Sequence, residues 1–219
     1  LSEYMHYVIN DKHDSVWIAQ REGRAKDSND RSQEAILKMM VMGGKGSVVD
    51  SLLDLHLVPL AISYEYDPCD FLKAQEFQLK RDIPGWKKSA QDDIVSMQTG
   101  IMGYKGHIHY HAAPCIDAWL RELPADTPKA DIFRIIAEHI DREIHAHYQL
   151  FPSNFVALDM LQGNAAHADK YSAADKAQFE KYLAGQLAKI QIENKDEAYL
   201  RECILKMYAN PAINQLALA

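Results

Sequence analysis

Long apolar runs are missing from this chain. None of its 219 residues belongs to a stretch of about 18 uncharged apolar positions, so no transmembrane helix is expected, and no signal peptide either. Cysteine is scarce: Cys69, Cys115 and Cys203 are widely spaced and odd in number, which is most simply read as free thiols in a reducing compartment. Positive charge is in deficit. With 24 Lys and Arg against 31 Asp and Glu, the net charge is −7, which argues against a nucleic-acid partner or a broad patch for anionic membranes. Any recognition of phosphate must therefore be local.

One stretch concentrates cations locally. Residues 15–31 read SVWIAQREGRAKDSNDR. Val16-Trp17-Ile18-Ala19 is a short apolar run between polar residues, the pattern of a strand buried on both faces. It gives way to Arg21-Glu22-Gly23-Arg24, with Lys26 and Arg31 following, before a helical period begins. In open α/β sheets, ligands bind beyond the carboxyl ends of the strands. Arg21 and Arg24 carry planar forks that fit phosphate oxygens two at a time, and Gly23, lacking a Cβ, lets the backbone approach a ligand. Glu22 can hold an Arg in position or accept a hydrogen bond from a substrate hydroxyl. The competing reading is a solvated polar loop whose Arg and Glu pair with each other.

The block Ala19-Gln20-Arg21-Glu22-Gly23-Arg24 resembles the E-G-x-R block of the glycerophospholipid acyltransferases, which acylate glycerol 3-phosphate or its 1-acyl derivative in phospholipid biosynthesis. Leu57 to Tyr64, with Pro59, resembles the apolar V-P-V strand that follows in that family. The resemblance covers roughly residues 1–115. It implies an α/β domain and a substrate site made by Arg21, Glu22, Gly23, Arg24, Lys26, Arg31 and Pro59. It also implies glycerol 3-phosphate or a lysophosphatidate as substrate, and an acyl-CoA or acyl-carrier-protein thioester as co-substrate. No cofactor or metal is implied, and the location is cytoplasmic with peripheral contact on the inner membrane face. Arg24 follows Gly23 directly, where the family has an intervening residue, so Arg24, Arg21 or Lys26 makes the main phosphate contact.

The family's catalytic block is H-x-x-x-x-D, whose His takes the proton from the glycerol hydroxyl. His6 to Asp11 matches it literally, but Leu1, Tyr4, Met5, Val8 and Ile9 follow the helical period. Helical residues five apart point about 140° away from each other, so His6 and Asp11 are a coincidence. The general base and its Asp are expected upstream of Leu1, which makes this chain a C-terminal piece without the catalytic pair.

Along the chain, Asp30 with Gln33 reads as a capped helix start, with Ile36, Met39 and Met40 on one face and an end at Gly43-Gly44. Ser47 and Asp50 open a short helix. Leu57–Tyr66 reads as a strand, and Asp67 as the cap of a helix from Pro68 to about Arg81, although Asp67 and Asp70 could instead be polar site groups. A helix over 87–102 places Ala90, Ile94, Met97 and Ile101 on one face, and Lys105–Ala112 reads as a strand. Further helices are expected from Thr127-Pro128 through Ile144, then at Ser153–Gln162, Ser172–Ile190 and Asn194–Tyr208. The fold class is thus α/β, a partial mixed or parallel sheet flanked by helices over 1–115, followed by an all-helical extension over 116–219. In that extension Tyr182, Leu183, Leu187 and Ile190 bury against the core, or pack on a partner or a bilayer surface.

Two other readings compete. His107, His109 and His111 alternate along a strand, and with His139, Asp141, His145 and His147 could gather a metal, although no recognised ligand spacing is present and an exposed edge face is the plainer account. The other is a non-catalytic helical interaction module carrying a degenerate acyltransferase half.

Overall fold

Helix-forming sequence accounts for most of the chain, and strands only for two five-residue segments. The computed structural model describes residues 1–20, 26–124 and 126–218. Ten α-helices and two β-strands are formed among them. The strands, β1 (Leu60–Tyr64) and β2 (Ile108–Ala112), pair with each other. Their flanks fix the direction: Ala113 N–H donates to Pro59 and Glu65 N–H to His107, so one strand advances as the other recedes and the pair is antiparallel. The expected parallel or mixed sheet is not formed among the described residues.

The chain divides into two units. The first comprises the described residues of Leu1–Arg24, Asp30–Ala61 and Tyr110–His147. It holds α1 (Ser2–Asn10), α2 (Glu34–Val41), α3 (Val48–Leu53), α6 (Asp117–Arg121) and α7 (Ile132–Ala146). Their apolar stripes meet in a core of Met5, Leu37, Leu52, Leu120 and Ile136. At Gly43, just past the end of α2, a Cβ would lie 2.5 Å from the backbone nitrogen of Glu3, so only glycine permits this approach. Ser2 Oγ uses it, donating to Met40 O at 2.7 Å and accepting from Gly43 N–H at 2.7 Å.

Two expectations for this unit are corrected. Val16 to Ala19 forms no strand: Val16 and Ile18 pack on the core while Trp17 is 80% exposed, and no neighbouring strand among the described residues takes up the backbone groups. α2 begins at Glu34 with Gln33 as N-cap, not at Asp30, whose carbonyl is engaged by His145. α3 opens on Ser47 and Asp50 as expected, the two bonding each other's backbone N–H.

The second unit comprises the described residues of Ala25–Asn29, Ile62–His109 and Tyr148–Ala219. It holds α4 (Asp70–Asp82), α5 (Ala90–Met102), α8 (Pro152–Gln162), α9 (Ala173–Lys189) and α10 (Glu197–Leu216). Phe179, Leu183, Leu200 and Ile204 are almost wholly buried in its core, which settles the α9 face as core-facing. α9 starts on the Ser172/Asp175 capping box that the sequence predicts, and α5 on an equivalent Ser89/Asp92 box.

Here too the structure departs from expectation. α4 starts at Asp70, and Asp67 caps only the preceding turn, accepting from Cys69 N–H at 2.9 Å. α10 is capped by Asp196, which accepts from Tyr199 N–H at 3.0 Å. Asn194 takes a left-handed conformation (φ 51°) that lies outside the helix. α10 then continues past Tyr208 and through Pro211 to Leu216, since Ala209, Ala212 and Asn214 are buried and packing outweighs the missing donor. The α5 stripe is amphipathic but uncovered: Ile94 is 56% and Ile101 72% exposed.

Candidate functional site

Described residues on either side of the cationic stretch are joined by their backbones. Gln33 N–H donates to Gln20 O at 2.9 Å, closing the chain between them. Arg21, Glu22, Gly23 and Arg24 lie outside the described residues. Beyond them, the returning limb is held on α7. Ser32 N–H donates to Asp141 Oδ1 at 2.8 Å, Arg31 Nη1 donates to His145 Nδ1 at 3.4 Å, and His145 Nε2 donates to Asp30 O at 3.3 Å. These roles require a neutral imidazole protonated at Nε2. Burial, first, and the Arg31 charge beside it hold the His145 pKa below its ordinary value, in keeping with that tautomer.

At the described ends of this stretch two groups are buried. Gln20 Nε2 and Ser32 Oγ are both buried with no hydrogen-bond partner among the described residues. Buried donors without a partner are rare in folded proteins.

The remaining sequence-predicted residues are spread through the molecule. Lys26 pairs with Glu76 of α4, which also binds Lys80; burial lowers the Lys26 pKa despite that carboxylate, and the two lysines hold Glu76 below the usual carboxylate range although its burial opposes them. Pro59 places its carbonyl on Ala113 N–H at the start of β1. His6 is buried in α1, its Nε2 3.1 Å from Met40 O, and Asp11 follows the end of that helix.

The alternating histidines do not gather into a metal-holding group among the described residues. His111 stacks on His147 with ring centroids 4.1 Å apart, His107 bonds Glu65 at 2.7 Å, and His139 stacks on Trp119. The exposed-face expectation holds for His107 and is corrected for the other two. His109 and His111 are half-buried, while Ile108 and Tyr110 of the same strand face solvent.

No family model, no curated protein and no solved structure matches this chain.

Two clusters were not legible from spacing. His56, Cys115 and Asp117 bring their ligand atoms within 4.8 Å of one another. Asp70, wholly buried at the start of α4, accepts hydroxyl bonds from Tyr182 (2.7 Å) and Tyr208 (2.8 Å) on Oδ2, and bonds from Gln186 Nε2 and Phe71 N–H on Oδ1. Burial pushes the Asp70 pKa up to about 6, against the pull of the two hydroxyls. The sequence marks Asp70 as a polar group after a strand. Its partners lie more than 110 residues away, and no local pattern names them.

Proposed function

We propose that this chain is the phosphate-recognising part of an O-acyltransferase that moves a fatty acyl group from a thioester to a hydroxyl of glycerol 3-phosphate or a lysophosphatidate. The observation that carries the reading is the pair of buried groups Gln20 Nε2 and Ser32 Oγ, without hydrogen-bond partners among the described residues, beside the Gln33–Gln20 backbone bond that brackets the cationic stretch. Phosphate oxygens accept hydrogen bonds and would complete them, and Arg21, Arg24, Lys26 and Arg31 are the cations of the sequence between Gln20 and Gln33. The likeness of Arg21-Glu22-Gly23-Arg24 and of Val58-Pro59 to the acyltransferase blocks supports the same reading.

In the reaction, the hydroxyl oxygen attacks the thioester carbonyl carbon, its proton passes to a general base, and the thiolate leaves with a proton. The His and Asp that serve as base and orienting group are assigned to a segment preceding this chain. The work of this chain is to hold the phosphate, which fixes the hydroxyl against the thioester.

The test is titration of glycerol 3-phosphate against glycerol into a protein that joins this chain to an upstream H-x-x-x-x-D block. Glycerol 3-phosphate should bind and glycerol should not. Arg24→Ala should weaken binding by roughly 10- to 100-fold, the worth of a hydrogen bond to a charged group. Unchanged affinity in both Arg24→Ala and Arg21→Ala would remove the assignment.

A further inference from the structure

We propose that His56, Cys115 and Asp117 form a binding site for a zinc-like divalent cation. The site does not depend on the acyltransferase reading. His56 follows α3, while Cys115 and Asp117 flank the start of α6. The two segments are joined by their backbones: Ile116 N–H, between Cys115 and Asp117, donates to Leu57 O at 3.0 Å, and Ala113 N–H donates to Pro59 O at 2.9 Å. That pairing brings residue 56 opposite residues 115 and 117 before any ion arrives.

The side chains then converge on one point. His56 Nδ1 lies 2.7 Å from Asp117 Oδ2, and the three ligand atoms are mutually within 4.8 Å. Tetrahedral zinc, with bonds of about 2.0–2.3 Å, needs ligand atoms roughly 3–4 Å apart, so small side-chain rotations suffice. Asp117 Oδ1 is buried with no hydrogen-bond partner among the described residues, a lone acceptor in a side chain only 14% exposed. His56 itself holds a left-handed backbone (φ 48°), a conformation that costs energy unless its surroundings fix it.

The donor set selects the ion. Thiolate and imidazole suit zinc and other borderline-soft cations, whereas magnesium and calcium take oxygen ligands. Three protein ligands with a largely exposed imidazole leave a fourth position for water. On binding, the Cys115 thiol loses its proton to solvent and the sulfur's electron pair goes to the metal. A Cys-His-Asp nucleophile is the chemical alternative. There the Asp and the Cys must sit on opposite imidazole nitrogens, whereas here all three groups crowd together. One cation opposes the ion: Arg121 Nη2 lies 3.9 Å from Asp117 Oδ2.

The experiment is calorimetric titration of zinc chloride into the untagged chain, with cobalt as a spectroscopic probe. One equivalent of zinc should bind, and cobalt should give a thiolate charge-transfer band that Cys115→Ser abolishes and Cys69→Ser leaves. His56→Asn, which tolerates the left-handed backbone, and Asp117→Asn should each weaken binding by at least the roughly 10- to 100-fold that loss of an outer-shell partner costs. Arg121→Ala should tighten it several-fold, an effect that a purely structural cluster would not give. Absence of saturable binding, or binding that survives both Cys115→Ser and Asp117→Asn with circular dichroism unchanged, overturns the site.

Discussion

Arg31 and His145 stand 114 residues apart in the chain, yet Nη1 of the first reaches Nδ1 of the second at 3.4 Å. Burial, first, and the facing guanidinium hold the imidazole pKa below its ordinary value. A depressed histidine pKa stabilises the fold above the ordinary value of 6.5 and withdraws that stability as pH falls below it.

Arg31→Met should therefore raise the His145 pKa towards its ordinary value and reduce the loss of stability below pH 6.5. Proton NMR titration of the His145 ring checks this. An unmoved pKa would mean that burial alone sets it.

Tyr208 donates to Asp70 at 2.8 Å in the other unit, and its loss has a pH signature. A carboxyl raised from 3.8 to about 6 favours the fold when protonated, so its stability is present below pH 3.8 and is lost as pH rises through 6, by about 3 kcal/mol in all. Tyr208→Phe removes a bond that the charged form uses most. Urea denaturation should show a loss of about 1.5–3 kcal/mol at pH 7 and a smaller one at pH 4.5. Equal losses at both would disprove the charge dependence.

Ser32→Ala separates binding from folding. Its hydroxyl is buried with no hydrogen-bond partner among the described residues, so its removal should leave the melting temperature unchanged or slightly raised. Under the proposed function the same change weakens glycerol 3-phosphate binding. A melting temperature lowered by several degrees would show that the hydroxyl serves the fold.

Ser172→Ala and Ser89→Ala remove equivalent caps with unequal consequences. α9 is anchored by Phe179, Leu183 and Leu187, so losing its cap should lower global stability by about 1 kcal/mol. In α5 only Ser96 is buried, so losing the Ser89 cap should appear as faster local amide exchange over residues 90–93 with little change in global stability.

Gly43→Ala places a Cβ 2.5 Å from Glu3 N, where backbone on both sides leaves no room. Repacking should cost about 1–3 kcal/mol, read as a lower thermal midpoint. A midpoint equal to the parent's would mean that α1 does not need this close approach.

The sequence alone determined what depends on neighbours along the chain. The Ser47/Asp50 and Ser172/Asp175 boxes, the helix stop near Gly43 and the apolar faces of α7 and α9 all follow from spacings of three and four residues. A strand is different, because all its ladder hydrogen bonds are made with another segment. Val16 to Ala19 has strand composition but no partner among the described residues, so its pattern carried no sheet, and the α5 stripe likewise met no covering surface. Tertiary structure alone decided the unions that residue spacing cannot encode: Arg31 with His145, Asp70 with Tyr182 and Tyr208, and His56 with Cys115 and Asp117. Each brings together groups dozens of residues apart, held there by buried apolar contacts elsewhere in the same unit.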